Sequence, residues 1–197
     1  MFAELLRSKL ERVCELTGEQ VVRLEQHYDL LVRWNRVINL TSLRRVEQIV
    51  ERHYCESVFA ACQLPLAGVS VADIGSGAGF PGIPIAILRP QSFITLVESH
   101  RRKAAFLREA SRELPNVRVI AKRAEEIGGG FDWVVSRAVR YSEIAFALSR
   151  LGRNIELLTG EVSASSMPGF EWQAPIALPW GEHRYLWIGH AVVSRET

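Results

Sequence analysis

The stretch Val71-Ala72-Asp73-Ile74-Gly75-Ser76-Gly77-Ala78-Gly79-Phe80-Pro81-Gly82-Ile83-Pro84 decides the fold of this chain. An apolar β-type segment, Val69 to Ile74, carries an acidic residue near its end and then breaks into glycines. Prolines then set up an apolar helix over Ile83 to Leu88. Pro81 and Pro84 suit a helix's first turn, where a missing N–H costs nothing. A strand, a glycine turn and a helix in that order form a loop that lets a nucleotide-like ligand approach the backbone closely.

The spacing excludes the commonest such loop. A dinucleotide fingerprint reads G-x-G-x-x-G, its third glycine allowing helix and strand to pack closely. Counted from Gly75, that position is Phe80. What stands here is D-x-G-x-G-x-G, the pattern of S-adenosylmethionine (SAM) enzymes. SAM has no pyrophosphate, so the loop has an amino-acid group to accept and a sulfonium to leave exposed. Asp73 beside the loop is tolerable near a cation and awkward near a diphosphate. These features assign Asp73, Gly75, Ser76, Gly77, Gly79 and Phe80 to a cofactor site. The next β-rich segment, Phe93 to Glu98, ends in a carboxylate placed to grip ribose hydroxyls. NAD enzymes share that feature, so Glu98 supports an adenosine ligand without choosing between cofactors. Val117–Ala121 and Phe131–Ser136 read as third and fourth strands. Arg123 to Glu126, between them, lies where an adenine would sit in a doubly wound sheet.

With 197 residues, 48% of them hydrophobic, the chain has room for one ordinary core and an appendage. No stretch approaches the roughly 20 apolar residues that span a bilayer. The first fifteen residues mix charges with Leu and Val, unlike a signal peptide. Three cysteines (Cys14, Cys55, Cys62) with no C-x-x-C pair argue against disulfides and structural zinc, and no metal site is expected. They read as small buried apolar residues in a reducing cytoplasm. Nothing demands a dimer, so a monomer is expected.

Two parts are expected: a helical extension over 1–65 and a Rossmann-like domain over 66–197. Leu6, Leu10, Val13 and Cys14 make one apolar stripe. Thr17-x-x-Gln20 resembles a capping box opening a second helix, with stripe Val21, Leu24, Tyr28, Leu31 and Val32. A third helix carries Val46, Ile49, Val50, Tyr54 and Val58. From Val69 onward β segments alternate with helices, which predicts parallel strands joined by crossovers. Beyond Gly160, a loop-like stretch is followed by a terminal strand from Tyr185 to Val193.

The overall charge is nearly balanced, 24 basic against 22 acidic residues, and the imbalance is local. Eight basic residues fall between Arg101 and Arg123, opposed only by Glu109 and Glu113. A helix over about His100 to Leu114, with Ala105, Phe106, Leu107 and Ala110 inward, would bear Arg101, Arg102 and Lys103 on its first turn. The helix dipole disfavours cations there, which hints at an anionic partner such as RNA. An ordinary solvated face is the alternative. A second candidate, the segment from Tyr28 to Arg45, mixes aromatic, amide and guanidinium groups: Tyr28, Arg33, Trp34, Asn35, Arg36, Asn39, Thr41, Ser42, Arg44 and Arg45. Such groups can stack on and hydrogen-bond unpaired bases. A core Trp34 and a helix stop at Asn39-Leu40-Thr41-Ser42 account for the same residues structurally.

Three blocks stand together: W-N-x-x-x-N-L-T-S (Trp34 to Ser42), the D-I-G-S-G-A-G-F-P-G-I-P loop, and S-R-A (Ser136 to Ala138) ending the fourth strand. With Arg52-His53, Arg89-Pro90 and Phe106 to Arg108, the chain resembles the RsmG (GidB) family of bacterial methyltransferases, from about Leu5 to Gly160. The resemblance implies a class I SAM-dependent methyltransferase fold and methylation of N7 of a guanine in the 530 loop of 16S ribosomal RNA, position 527 in the family. It places Gly75 and Phe80 on the cofactor pocket, Ala124 and Glu125 at the adenine, and Arg137 facing cofactor or target base. Asn39 and Ser136 accompany Arg137 as candidate catalytic residues. Trp34, Asn35, Arg36, Arg44, Arg101, Arg102, Lys103 and Arg123 are the candidate RNA contacts. Two departures stand out. The family's H-x-x-D-S is here His53-Tyr54-Cys55-Glu56-Ser57, and its lysine before the glycine ending the fifth strand is Thr159.

Two rival readings are an NAD-dependent oxidoreductase and an RNA-binding protein with a vestigial SAM fold. The first is disfavoured by Phe80 and by the lack of an obvious Tyr-x-x-x-Lys. The second is kept open by Glu56 and Thr159. The chain also lacks the N/D-P-P-Y/F motif of exocyclic-amine methylation and the Pro-Cys nucleophile of cytosine C5 methylation.

Overall fold

The computed structural model describes residues 1–65, 68–137, 148–160 and 169–192. Ala138, the last residue of the S-R-A block, lies outside them. Helices α1 (Phe2–Leu10) and α2 (Gly18–Trp34) come first. A long helical run follows: α3 (Val46–Ile49), a widened π-helical turn (Val50–Cys55) and α4 (Glu56–Gln63). Then β1 (Ser70–Ile74), α5 (Gly82–Leu88), β2 (Phe93–Val97), α6 (Arg101–Ala110) and β3 (Val117–Ile120) alternate. A 3-10 turn (Ala124–Glu126) precedes β4 (Phe131–Arg137) and β5 (Gly152–Thr159). Short strands β6 (Phe170–Trp172) and β7 (Ile176–Ala177) lead to β8 (Tyr185–Ala191).

Among the described residues, eight strands form one sheet in the order β3-β2-β1-β4-β5-β8-β6, with β7 pairing β8. The pairs from β3 through β5 are parallel, and β8 runs antiparallel to both β5 and β6. This is the class I methyltransferase form of the Rossmann-like fold. The strand order reverses between β1 and β4, and ligands of open α/β sheets bind at such a switch point. The glycine loop leaves β1 there, next to the end of β4, with Ile74 opposite Ser136.

Alternation along β1 sends Ala72 and Ile74 to one core and Val71 to the other. The larger core is continuous from Phe2, Leu6, Leu24 and Leu31 of the N-terminal helices to Val71, Ile83, Leu96 and Phe106. The helical extension therefore packs into the same interior as the sheet.

The expected capping box at Thr17 is present, with Gln20 N donating to Thr17 Oγ1 and Thr17 N to Gln20 Oε1. The buried face of α2 is Val21, Leu24, His27, Leu30 and Leu31, so Tyr28 is not its centre. The surprise is His27, buried because both ring nitrogens are satisfied. Nε2 donates to Ala78 O at 3.1 Å, and Nδ1 accepts from Tyr54 Oη at 2.9 Å. Burial holds this imidazole neutral, its pKa lowered to about 4. The helix expected to reach Leu114 ends at Ala110, and Ala104, not Ala105, faces inward with Phe106 and Leu107. Of the cysteines only Cys55 is buried, while Cys14 and Cys62 are half-buried. Strands β6 and β7 are additions to the sequence reading, too short for a periodic signal.

Tyr54→Phe leaves the buried Nδ1 of His27 without a donor. Urea unfolding of that variant is expected to show a loss of about 1–3 kcal/mol with an unchanged m-value.

Candidate active site

The glycine loop is shaped by left-handed residues and braced by carboxylates. Gly75, Gly77 and Gly79 take φ of +73°, +55° and +88°, where a side chain is strained. At Gly82, which opens α5, a Cβ would lie 2.3 Å from Leu96 Cδ2 and 2.6 Å from Asp73 Oδ2, so only glycine fits. Asp73 Oδ2 accepts the Gly82 N–H at 3.0 Å, and Glu98 Oε2 accepts the Gly77 N–H at 3.0 Å. Glu98 Oε1 accepts from His100 N at 2.7 Å. Each Glu98 oxygen so engaged still has lone-pair capacity for a ribose hydroxyl.

Asp73 has no exposed surface, so its carboxylate braces the loop from within and lines no pocket. Desolvation raises its pKa to about 7. Ser136 is likewise turned inward, its Oγ donating to Ile74 O at 2.9 Å and tying the end of β4 to β1. Ser76 Oγ donates to Asp73 O. Ala124 is buried and Glu125 exposed on the turn after β3.

Beyond the loop lies a network built on Phe80. Its ring is stacked on His53, with centroids 4.6 Å apart and planes at 18°, and meets Tyr54 and His27 edge-on. The guanidinium of Arg137 sits 5.5 Å above the same ring. Phe80 is thus a platform, only 3% exposed. Arg137 donates to Arg52 O and to His53 Nδ1. Because arginine only donates, His53 Nδ1 accepts and its Nε2–H donates to Thr41 Oγ1 at 2.8 Å. Burial and the Arg137 charge push the His53 pKa down to about 2, so the ring is neutral. Glu56, fully buried, takes Arg184 Nε at 3.0 Å and Nη2 at 2.5 Å, with Arg137 Nη1 at 3.7 Å. Burial lowers the Arg137 pKa to about 10, which leaves it charged at neutral pH. The π-helical turn makes this possible: six consecutive residues, His53 to Val58, are all buried. Such turns occur often at functional sites.

The other sequence candidates are spread around this centre. Trp34 is half-buried against Phe106, its ring 5.8 Å away. Asn35 is spent on its own loop, accepting from Leu40 N and Thr41 N and donating to Thr41 O. Arg36 and Asn39 are exposed, and Arg44 donates to Thr41 O. Arg101, Arg102 and Arg123 are exposed, with Lys103 half-buried, and all follow strand ends on the side of the glycine loop. Sequence reasoning singled out neither His53 nor Arg184 as site residues, and took Thr41 as a member of the candidate RNA-contacting stretch, not as the partner of a histidine. Arg52-His53 and the altered acid at Glu56 were the available signal; Arg184, in the unmatched tail, had none.

Residues 20–160 match the profile of a family described as rRNA small subunit methyltransferase G. The chain belongs to that family. It is 42% identical over 153 residues to the ribosomal RNA small subunit methyltransferase G of Nitrosomonas europaea, covering 74% of this chain and 70% of that one. The namesake from Nitrosospira multiformis is 44% identical over 135 residues, covering 66% and 60%. The chain thus spans 60 to 70% of the length of these relatives. Among solved structures, magnesium protoporphyrin IX methyltransferase from Synechocystis with bound SAM superposes with a TM-score of 0.61 at 17% identity, covering 92% of this chain and 99% of that one. A SAM-dependent methyltransferase from Aquifex aeolicus gives 0.55 at 14% identity, covering 73% and 92%. At such identities the likeness is one of fold.

Asp73 supplies a pH signature. With a folded pKa near 7 against 3.8 unfolded, the native state holds a proton that the unfolded chain releases. Its contribution is full below about pH 4 and falls by about 1.4 kcal/mol per unit until pH 7. Melting curves of Asp73→Asn across that window are expected to lose this downward slope.

Proposed function

We propose that the protein transfers a methyl group from SAM to N7 of a guanine in the 530 loop of 16S ribosomal RNA. The substrate is the RNA or a small-subunit particle, met by a monomer in the cytoplasm. One observation carries the reading: the charged Arg137 is held beside the glycine loop in a site where the nearby candidate bases are disabled. His53 is neutral with both nitrogens engaged, and Asp73 is sealed. Guanine N7 has an in-plane lone pair and no proton, so its attack requires no base. Catalysis then rests on placement.

The residues fit the cofactor. The Glu98 carboxylate, bound to the loop's Gly77 N–H, suits a cationic ligand and repels a diphosphate. A Cβ at Gly77 would meet only Gly75 O, at 3.7 Å, so space for a ligand lies open above it. SAM would supply the electrophilic methyl. Glu98 would hold the ribose, and the Ala124–Glu126 turn would border the adenine. NAD fits less well on both counts, charge and Phe80.

Arginine commonly grips guanine through O6 and N7 together. Here N7 has to stay free, so Arg137 would take O6 or a phosphate. Arg36, Arg44, Arg101, Arg102, Lys103 and Arg123 would meet RNA phosphates. Asn39, exposed on the loop after α2, is the candidate that would reach a base.

Arg137→Ala is expected to lower kcat for RNA methylation by roughly 100-fold, with SAM affinity by calorimetry changed by less than about 3-fold. Unchanged methylation by that variant would remove Arg137 from the mechanism. Gly75→Val forces a β-branched residue into positive φ and is expected to abolish SAM binding in the same calorimetric titration.

A further inference from the structure

The C-terminal hairpin, outside the family match, reaches the centre of the site. Thr159 pairs with Tyr185, which sets Arg184 beside the end of β5. The hairpin is anchored on the N-terminal helices: Trp180 Nε1 donates to Lys9 O at 3.3 Å, and its ring meets Phe59 edge-on. Gly181 makes room for the stem of Arg184 and the guanidinium of Arg52. A Cβ there would lie 3.3 Å from Arg184 Cγ and 3.4 Å from Arg52 Nη2. Arg184 then closes on Glu56 with two parallel bonds, the strongest geometry available to a carboxylate.

A fully buried carboxylate has to be matched by positive charge. Among the described residues, Arg184 and Arg137 are the two guanidiniums in reach, at 2.5 Å and 3.7 Å. They compete for one group. With Arg184 in place, Arg137 is left to Phe80, His53 and Arg52 O, facing a cavity of about 350 Å³ lined by Leu43, Gln48, Arg52, His53, Arg137 and Arg184. Without Arg184, the nearest cation to Glu56 among the described residues is Arg137 itself. We propose that Arg184 is a positioning residue for methyl transfer: by occupying Glu56 it keeps Arg137 on Phe80 and pointed at the substrate. The proposal rests on the methylation reading above.

The test measures methyl transfer from tritiated SAM to small-subunit particles lacking the 530-loop mark, with SAM affinity by calorimetry on each variant. Arg184→Met is expected to lower kcat roughly 10- to 100-fold, the size of effect a 1 Å misplacement produces. KM for the particles and SAM affinity stay within about 3-fold. Arg184→Lys, a single-pronged cation, falls between this and wild type. The decisive variant is Glu56→Gln combined with Arg184→Met, which removes the charge that draws Arg137 away and is expected to recover most of the lost kcat. A double variant no better than Arg184→Met overturns the proposal. A raised KM with a shallower salt dependence also overturns it, since Arg184 would then contact RNA directly. Unchanged kcat in Arg184→Met overturns it as well. Wild-type protein inactive on the particles overturns the methylation reading itself, and the reaction-based role of Arg184 with it.

Discussion

Two buried carboxylates hold the glycine loop by accepting its backbone N–H groups, and the position of every other site residue follows from that. A chain that turns sharply after β1 leaves amides pointing inward with no ladder to join. Asp73 takes the one at Gly82 and Glu98 the one at Gly77. The first bond starts α5 against the sheet; the second ties the loop to the end of β2. Phe80 is carried between these anchors, so its ring has a fixed place. Everything that touches the ring inherits that place: His53, Tyr54, His27 and Arg137.

The N-terminal helices act on the site through this ring. His27 donates to Ala78 O within the loop while accepting from Tyr54, so α2 and the π-helical turn are joined across the loop's own backbone. Both imidazoles near Phe80 are neutral, for different reasons. His27 is desolvated, whereas His53 is desolvated and also faces a guanidinium. A proton on either would place a second cation against Arg137 or inside an apolar core. The two rings therefore add no charge to that of Arg137 beside Phe80, and their hydrogen bonds assign a single tautomer to each.

Sequence made the sheet legible because glycine spacing, alternating apolar runs and strand-end acids are local signals. The parallel strands with their crossover helices, the capping box at Thr17 and the strand-end carboxylate at Glu98 all follow from such signals. The network around Glu56 was not legible in the same way. Its members come from the turn before α4, the end of β4 and the start of β8, and no periodicity relates them. His27 shows the same limit: on a helical wheel it reads as polar, and only Ala78 O and Tyr54 Oη, distant in sequence, make its burial tolerable. Asn35 shows the converse. Its amide looked available for a base, and the fold spends it on three backbone groups of its own loop.

The altered acid at position 56 has a physical meaning in this arrangement. A glutamate reaches one methylene further than an aspartate, and here it reaches a guanidinium delivered by β8. Burying that carboxylate would be prohibitive alone; with a two-pronged partner it becomes a fixed negative point 3.7 Å from Arg137. With Glu56 taken up by Arg184, Arg137 is left to the π-face of Phe80, with His53 and Arg52 O accepting its protons. Three restraints on one side chain leave it little freedom to lose on meeting a substrate. For the proposed methyl transfer, which asks for placement and not for proton transfer, the rate would depend on that lost freedom, so a Glu56 occupied by Arg184 would leave intact the chemistry the departure looked able to undermine.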